Sequence, residues 1–354
     1  MSYDSTQHAS HQMALETQNV IITTRSYPRA ALIGNPSDGY HGKTIAFTFT
    51  NFRAKVTLYQ TPEIEIVPND RDHSRFANLV SLVNDVDRYG YYGGIRLLKA
   101  TLKKFHQYCS RVGIVIDDRN FTIRYTSDIP HGLGLAGSSA IITACIRALM
   151  AFYSVDIPKP VLANIVLSVE NEELGISAGL QDRVAQVYQG LVYMDFAEST
   201  MTRQGYGDYQ YLDAALLPDL YIAFRSDLAE GSETVHGAYR SKYRKKDESF
   251  RTAIAKWIDL TDRVKECLQT DQTNDIGALL NENFEIRKTV QAVSEGNIEM
   301  VDAARKAGAS AKFTGSGGAI IGTYSGAAMF EKLTDQLGAI GVEVIRPAIT
   351  ERLG

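Results

Sequence analysis

A glycine-rich segment between an apolar run and a helical pattern offers the clearest chemistry in the sequence. Its residues are Ile129-Pro130-His131-Gly132-Leu133-Gly134-Leu135-Ala136-Gly137-Ser138-Ser139-Ala140. Glycines let the backbone approach a ligand closely, and the N–H groups at the start of the next helix face an anion. Serine hydroxyls can cap that helix or reach a metal ion. The segment therefore predicts a phosphate-binding loop, although a plain glycine turn with a serine N-cap fits the same residues.

The loop differs from the common nucleotide-binding P-loop, because no Gly-Lys-Ser or Gly-Lys-Thr follows the glycines. The His-Glu-x-x-His signature of a zinc site is also missing from the sequence. The seven histidines are scattered. Phosphate chemistry is therefore the hypothesis that the rest of the sequence must support.

Short β-rich runs alternate with longer helical patterns from Val20 onward, which predicts an α+β or mixed α/β protein. The predicted strands are Thr44–Tyr59, Phe121–Tyr125, Leu191–Phe196, Leu220–Phe224, Ala319–Tyr324 and Val342–Ile345. One predicted helix begins near Ser138, and three more cover Val161–Glu173, Phe250–Cys267 and Ile276–Val290. The glycine-rich loop thus lies between a strand ending near Ser127 and a helix.

The chain length of 354 residues allows about two domains. We predict a flexible tail over 1–19, an N-terminal domain over 20–205 and a C-terminal domain over 206–354. The boundary follows from the polar and glycine-containing stretch around 199–207. After it the chain is mainly helical until Lys312, where a second glycine-rich segment begins.

Charge and composition exclude several classes of function. A net charge of −4 provides no field that would gather nucleic acid or an anionic membrane. The longest apolar stretch, Ala140–Tyr153, is interrupted by Arg147 and is too short for a membrane span. Three distant cysteines argue against a disulfide framework and predict reduced, buried thiols of a cytoplasmic protein.

Three segments together resemble the motifs of the GHMP kinases, the superfamily of galactokinase, homoserine kinase, mevalonate kinase and phosphomevalonate kinase. The loop around Gly134 is similar to their second motif, Pro-x-x-x-Gly-Leu-x-Ser-Ser-x-Ala. The first motif is matched by Pro28-Arg29-Ala30-Ala31-Leu32-Ile33-Gly34-Asn35-Pro36-Ser37-Asp38. The third is matched by Lys312-Phe313-Thr314-Gly315-Ser316-Gly317-Gly318-Ala319. The resemblance extends over the chain from about Arg25.

Within the superfamily the motifs look most like those of the glucuronokinases known from plants. This resemblance implies a two-domain α+β fold, with an N-terminal half like ribosomal S5 domain 2 and a ferredoxin-like C-terminal half. It implies ATP and Mg²⁺ as cofactors and a small sugar or uronic acid as substrate. The implied reaction is transfer of the ATP γ-phosphoryl group to the anomeric hydroxyl of D-glucuronic acid, giving glucuronate 1-phosphate.

The resemblance also implies roles for single residues. Asp182 is expected to act as general base or to orient the acceptor hydroxyl, and Arg29 is expected to keep Asp182 ionised. Glu170, twelve residues before Asp182, is expected to hold Mg²⁺ with Ser138. The ATP-binding residues are Pro130, Gly132, Gly134, Leu135, Ala136, Gly137, Ser138, Ser139 and Ala140. The expected substrate-binding residues are Asn35, Asp38, Gly179, Gln181, Gly315, Ser316 and Gly317.

Some assignments stay open at the level of sequence. Asn35-Pro36 replaces the Glu-His of galactokinases, and Ala136-Gly137 shifts the serine count, so Ser138 is favoured for the metal but Ser139 is possible. Arg183 and Arg96 are both candidates for binding a substrate carboxylate. The tyrosines of Gly90-Tyr91-Tyr92-Gly93-Gly94 could stack on a ring or pack in the core.

Alternative functions compatible with the motifs are an anomeric kinase for galacturonate, arabinose, fucose or a heptose, and a non-catalytic sensor of sugar or nucleotide. A decarboxylase of the mevalonate diphosphate type shares the scaffold, but the sugar-kinase character of the first motif disfavours it. A pure sensor would have no chemical need for Ser138, Glu170 and Asp182 together. These residues therefore favour a kinase.

Overall fold

The predicted mixture of strands and helices is present in the computed structural model, which describes residues 21–69, 72, 93–228 and 232–352. The predicted tail and Gly90-Tyr91-Tyr92 lie outside the described residues. The strands are β1 (Ile21–Ser26), β2 (Arg29–Ile33), β3 (Lys43–Thr48), β4 (Ala54–Thr61), β5 (Glu65–Val67), β6 (Asn120–Ser127), β7 (Leu191–Asp195), β8 (Asp208–Leu212), β9 (Leu220–Phe224), β10 (Lys312–Phe313), β11 (Ala319–Thr323) and β12 (Glu343–Ile345).

Ten helices are present in the described residues. They are α1 (Gly94–Val112), α2 (Gly137–Tyr153), α3 (Lys159–Ser168), α4 (Gln181–Tyr188), α5 (Glu198–Gln204), α6 (Ser232–Arg244), α7 (Glu248–Gln269), α8 (Ile276–Val290), α9 (Glu295–Lys306) and α10 (Gly326–Gly338). Four of them, α2, α3, α7 and α8, correspond to helices predicted from apolar periodicity. A π-helical turn, Val169–Glu173, continues α3. The prediction of one helix over Val161–Glu173 therefore missed this change of geometry, because both parts carry the same apolar spacing.

Three four-stranded sheets organise the described chain. Their strand orders are β1-β4-β6-β5, β2-β3-β7-β8 and β10-β11-β9-β12. All pairs are antiparallel except β5 with β6. The expectation of a single strand over Thr44–Tyr59 was wrong, because β3 joins the second sheet and β4 joins the first. The turn at Thr50-Asn51 separates two β-rich runs that composition alone could not distinguish.

Helix α2 is a buried element that carries the end of the phosphate loop into the core. It contacts the first sheet through β1 and β4, and it also packs on α1 and α4. Its residues Ile142, Ala144, Cys145 and Ala148 are fully buried. Such complete burial fixes the N-terminal end of α2, and hence the loop before it, with little freedom to shift.

The parts of the chain before and after residue 205 are joined directly. The amide of Ala31 donates to the carbonyl of Thr314 at 3.0 Å, and that of Thr350 donates to the carbonyl of Thr48 at 2.9 Å. Strand β8 lies after residue 205 but pairs with β7, so the second sheet continues across this position. The domain division at 205 stays a prediction.

The three cysteines and the helix lengths bear on the predictions made from composition. Cys109, Cys145 and Cys267 are free and buried, which confirms the prediction of buried thiols. Among the described residues, no helix is both long enough and apolar enough to cross a membrane.

Candidate active site

The predicted phosphate loop connects β6 to α2 and has an unusual backbone. Gly132, Gly134 and Ala136 have positive φ angles of 72°, 62° and 63°. Ala136 is the N-cap of α2, and no side chain caps its first N–H groups. The plain serine N-cap is therefore not what the structure contains. The first turn of α2 leaves its N–H groups free of any side-chain acceptor, as an anion site requires.

Neighbouring side chains hold Ala136 in its left-handed conformation, which costs about 1 kcal/mol for a residue with a Cβ. The side-chain amide of Gln186 donates to the Ala136 carbonyl at 2.7 Å, and the Ser139 hydroxyl donates to it at 3.2 Å. Gln186 also donates to the carbonyl of Tyr27. The loop is thus fixed from α4 and from the chain between β1 and β2.

The glycine-rich segments of the second and third motifs touch backbone to backbone. A Cβ atom added to Gly315 would lie 2.4 Å from the Gly134 carbonyl oxygen, and one added to Gly134 would lie 2.9 Å from the Ser316 nitrogen. Only glycine allows this approach at these two positions. The contact brings the predicted substrate residues Gly315, Ser316 and Gly317 against the predicted ATP loop.

Arg29 and Asp182 form the central ion pair of the site. Arg29 Nε donates to Asp182 Oδ1 at 2.5 Å. Arg29 Nη1 donates to the carbonyls of Gly134 at 2.6 Å and Thr314 at 2.9 Å. One guanidinium therefore links the first motif, both glycine-rich segments and the start of α4, and it orients Asp182 toward them.

The charge of Asp182 is set by two arginines. Burial raises the pKa of this carboxyl, but the positive charges of Arg29 and Arg183 outweigh burial and lower the pKa to about 2. Arg183 Nη1 lies 3.2 Å from Asp182 Oδ2. The Asp182 side chain keeps 18% of its surface exposed, so a ligand can reach it. At neutral pH it is an ionised acceptor for a hydroxyl.

Glu170 and Ser138 lie together, as expected for a metal site. Ser138 Oγ donates to Glu170 Oε1 at 2.7 Å. Glu170 is fully buried on the π-helical turn. Ser139 is buried as well, and its hydroxyl is held by the Ala136 carbonyl. Of the two serines left open by the sequence, the structure places Ser138 beside Glu170.

Arg183 couples the two carboxylates of the site, a role that the sequence did not suggest. Its Nε donates to Glu170 Oε2 at 2.7 Å, Nη2 donates to the same oxygen, and Nη1 reaches both Asp182 and the Gly179 carbonyl. The helical spacing gave one clue, since Gln181, Arg183 and Gln186 are polar residues that α4 buries together with Val184, Ala185 and Val187. Being fully engaged, Arg183 has no edge left for a substrate carboxylate.

Asp38, Gly179 and Gln181 come together beside Asp182. The backbone N–H of Gln181 donates to Asp38 Oδ2 at 3.3 Å, and a Cβ added to Gly179 would lie 2.1 Å from that oxygen. Burial raises the pKa of Asp38, with the Asp182 charge adding to it, to about 6. Gln181 Oε1 is buried and has no hydrogen-bond partner. These groups form a polar wall on one side of Asp182.

Asn35, of the first motif, contacts the glycine-rich segment of the third motif. Its Nδ2 is 3.4 Å from the carbonyls of Phe313 and Gly315, and its Oδ1 is buried without a partner. The preceding Gly34 amide donates to Asn283 Oδ1 at 2.9 Å. The three predicted motifs therefore meet around Asn35, Asp38 and Asp182.

Two further basic residues near the motifs are Lys312, in the third motif, and Arg96, which the sequence offered as a candidate for binding a substrate carboxylate. Lys312 is fully buried and donates to the Ala31 carbonyl at 2.7 Å. Burial, with Arg287 and Arg29 nearby, lowers its pKa. Arg96 is exposed on α1. Neither Lys312 nor Arg96 supplies a free cation to the acceptor space.

The side chains of the predicted ATP residues Leu135 and Ala140 point into the core and are buried. Only their backbone could face a nucleotide. Among the described residues, no group of three or more His, Cys, Asp or Glu could hold a metal ion by itself. A cation at Ser138 and Glu170 would need further ligands from phosphate and water, as Mg²⁺ usually has.

Comparisons with known proteins agree with this geometry. A family model described as "GHMP kinases N terminal domain" matches residues 96–190. Over 310 residues the chain is 41% identical to Probable glucuronokinase 2 of Arabidopsis thaliana, covering 86% of this chain and 84% of that protein. Glucuronokinase 1 of the same plant is 41% identical over 306 residues, covering 85% and 84%. The chain belongs to the glucuronokinase branch of the GHMP kinases.

A solved structure extends the likeness to the whole fold of this GHMP kinase. Lactococcus lactis galactokinase complexed with galactose superposes with a TM-score of 0.70 at 15% identity and covers 93% of both chains. The predicted α+β GHMP kinase fold is confirmed. The family membership identifies the chain as a sugar kinase that uses ATP as phosphoryl donor.

Proposed function

We propose that this GHMP kinase phosphorylates D-glucuronate at its anomeric oxygen. The observation that carries the proposal is the Arg29–Asp182 pair, whose carboxylate lies between the ATP loop and the polar wall of Asp38 and Gln181. An ionised acceptor at this place is what a hydroxyl nucleophile needs beside a bound triphosphate. The 41% identity to two glucuronokinases supports glucuronate as the acceptor.

The triphosphate of ATP would bind along the loop from Pro130 to Ala140, at the N-terminal end of α2. Ser138 and Glu170 would hold Mg²⁺. Their oxygens are 2.7 Å apart, near the roughly 3.0 Å that separates neighbouring ligands in an octahedron with Mg–O distances of about 2.1 Å. The residues therefore fit the ion, which would neutralise phosphate charge when bound.

The acceptor sugar would occupy the space beside Asp182. Asp38, Asn35 and Gln181 have oxygens placed to accept hydrogen bonds from sugar hydroxyls, and the backbone at Gly179 and 315–317 allows close approach. Asp182 would accept the hydrogen bond of the anomeric hydroxyl. Arg29 would hold Asp182 in place and oppose the charge on the transferred group.

The reaction balances without a further reactant. The anomeric oxygen forms a bond to the γ-phosphorus while the bond from that phosphorus to the β,γ-bridging oxygen breaks, and ADP leaves. The hydroxyl proton moves to Asp182 as the new bond forms. Because the pKa of Asp182 is about 2, this transfer comes late, and Asp182 acts mainly by orienting the hydroxyl.

An ADP-release assay with ATP and Mg²⁺ tests the proposal. The acceptors to compare are D-glucuronate, D-galacturonate, D-glucose, D-galactose, L-arabinose and L-fucose, and the product must be shown to carry phosphate at the anomeric oxygen. We expect selective turnover of D-glucuronate. Turnover of another sugar would keep the kinase mechanism and reject the acceptor. No turnover of any acceptor would favour a sensor.

We also propose a cytoplasmic location. The three free, buried cysteines support a reducing compartment, where thiols stay unpaired. The substrates ATP and a free sugar acid are compatible with that setting.

A further inference from the structure

Arg287 on α8 is a buried cation that the reaction described above does not use. Its exposed fraction is 2%, and its guanidinium carbon lies 5.2 Å from the centre of the Phe313 ring. Arg287 Nη1 donates to the Gly315 carbonyl at 2.8 Å. Arg287 Nε is buried and makes no hydrogen bond within the described part of the chain. One donor on this side chain is therefore open.

The charge of Arg287 also lacks a carboxylate partner among the described residues, although the hydroxyl of Tyr239 lies beside it. Within the described ranges, no carboxylate lies within 4.0 Å of its guanidinium. Its charged neighbours include other cations, since Arg287 and Arg29 both contribute to lowering the pKa of buried Lys312. Burying a cation without an anion is strongly unfavourable. A bound anion would remove this cost.

Arg305 on α9 is a matched side chain in which this need is met internally. Its guanidinium carbon lies 5.3 Å from the centre of the Phe284 ring, and its Nη2 donates to two backbone carbonyls. The rings of Phe284 and Phe313 pack edge to face at 5.2 Å. Arg305 Nη1 pairs with Glu285 at 2.6 Å. The two arginines thus flank one aromatic pair, and only Arg305 has a carboxylate among the described residues.

Arg287 lies next to the acceptor space. The Gly315 carbonyl that it binds is also 3.4 Å from Asn35 Nδ2. The preceding carbonyl, that of Thr314, is held by Arg29, which binds Asp182. The open donor of Arg287 and the open acceptor Asn35 Oδ1 therefore belong to side chains anchored on the same short segment.

We infer that Arg287 binds the carboxylate of the acceptor and so selects a uronic acid over the neutral sugar. This inference rests on the proposed function. Arg183 is engaged by Glu170 and Asp182, so it has no free edge for this task. Asn35, being neutral, adds no negative charge that would repel the acid.

Replacement of Arg287 tests the inference when two acceptors of the same shape are compared. D-glucuronate carries a carboxylate, and D-glucuronamide carries a neutral amide in its place. In Arg287→Met we expect kcat/KM for D-glucuronate to fall by about 100-fold, mainly through KM, because a buried charge pair is lost. For D-glucuronamide we expect a change of less than about threefold. Arg287→Lys should recover part of the discrimination, since it keeps the charge but loses the planar fork.

Arg305→Met is the control, because it removes an arginine from the other side of the same aromatic pair. We expect it to leave the ratio of the two acceptors unchanged. Equal losses on both acceptors in Arg287→Met would show a structural role and overturn the inference. Should that variant fail to fold, as judged by circular dichroism, the acceptor ratio in Arg287→Lys decides instead.

The wild-type rates separate this inference from the proposed function. If the wild type prefers D-galacturonate, the proposed acceptor is wrong, and the same variants are then compared on galacturonate and galactose. Preference of the wild type for a neutral sugar over every uronic acid would overturn both statements.

Discussion

Asp182 and Asp38 are neighbouring carboxylates of one pocket, yet their surroundings give them opposite protonation behaviour. Burial raises the pKa of both groups. At Asp182 the charges of Arg29 and Arg183 reverse this effect, and the pKa falls to about 2. At Asp38 the same arginines are weaker, the charge of Asp182 adds to burial, and the pKa rises to about 6. Direct ion pairing, and not burial alone, decides which carboxylate stays charged.

The two carboxylates can therefore have different roles toward the acceptor. With a pKa of about 2, Asp182 is ionised at neutral pH and can hold the reacting hydroxyl. Asp38 changes its charge near pH 6 and accepts a hydrogen bond from the backbone N–H of Gln181. The pair resembles other sites in which two nearby carboxylates are driven apart in pKa to serve different roles.

The largest expected effect comes from removing the ionised member of the pair. In Asp182→Asn we expect kcat to fall by about 10³-fold, because the amide cannot accept the hydroxyl proton and no longer pairs with Arg29. The KM for ATP should change little, since Asp182 lies on the acceptor side. Steady-state kinetics at saturating Mg²⁺ measures both constants.

Asp117→Asn is a suitable control for that variant. Asp117 also accepts several hydrogen bonds from an arginine, Arg119, but both side chains are partly exposed at the surface. Its replacement should leave kcat within about twofold of wild type, as is usual for surface changes. An Asp182→Asn enzyme that keeps a tenth or more of the wild-type kcat would contradict the role given to this carboxylate.

A smaller effect is expected at the proposed Mg²⁺ site, where two neighbouring serines have different partners. Ser138 donates to Glu170, whereas Ser139 donates to the Ala136 carbonyl. In Ser138→Ala we expect the Mg²⁺ concentration for half-maximal rate to rise by about 10- to 100-fold, because one of the two protein ligands is lost. Ser139→Ala should keep the wild-type Mg²⁺ dependence and lose about 1 kcal/mol of stability with its bond to Ala136. Rates measured across a Mg²⁺ titration decide the matter, and the reverse result would assign the metal to Ser139.

Much of the fold could be predicted from the sequence, because local patterns correspond to local structure. The apolar period predicted α7 and α8 to within two residues, and β-rich runs predicted β9 and β11. The errors arose where one pattern serves two geometries. The run over Thr44–Tyr59 is two strands in two sheets, and the helix after Val161 changes to a π-helical turn at Val169.

The site could be predicted only as far as its residues lie in recognisable motifs. Asp182, Arg29, Ser138 and Glu170 come together as expected. The coupling by Arg183 and the open donor of Arg287 depend on contacts between distant segments. No spacing in the sequence records which buried arginine has a carboxylate beside it.

The smallest effect concerns Asp38, whose titration should appear in the activity. Ionised Asp38 accepts hydrogen bonds from sugar hydroxyls, so kcat/KM for the acceptor should rise with pH through an apparent pKa of about 6. Between pH 5 and pH 7 the rise should be about tenfold, the change in the ionised fraction of one group. In Asp38→Asn the profile should be flat over this range, at a lower value. The measurement is kcat/KM at saturating ATP and Mg²⁺.

The sign of this dependence distinguishes Asp38 from Asp182. Because the pKa of Asp38 is raised to about 6, kcat/KM should increase as the pH rises toward neutrality. Asp182, with a pKa of about 2, does not change its charge between pH 5 and pH 7 and contributes nothing to this increase. The carboxyl of the acceptor does not interfere, because an ordinary carboxyl ionises well below pH 5. Persistence of the rise in Asp38→Asn would mean that another group titrates, and the contrast between the two aspartates would then lose its functional meaning.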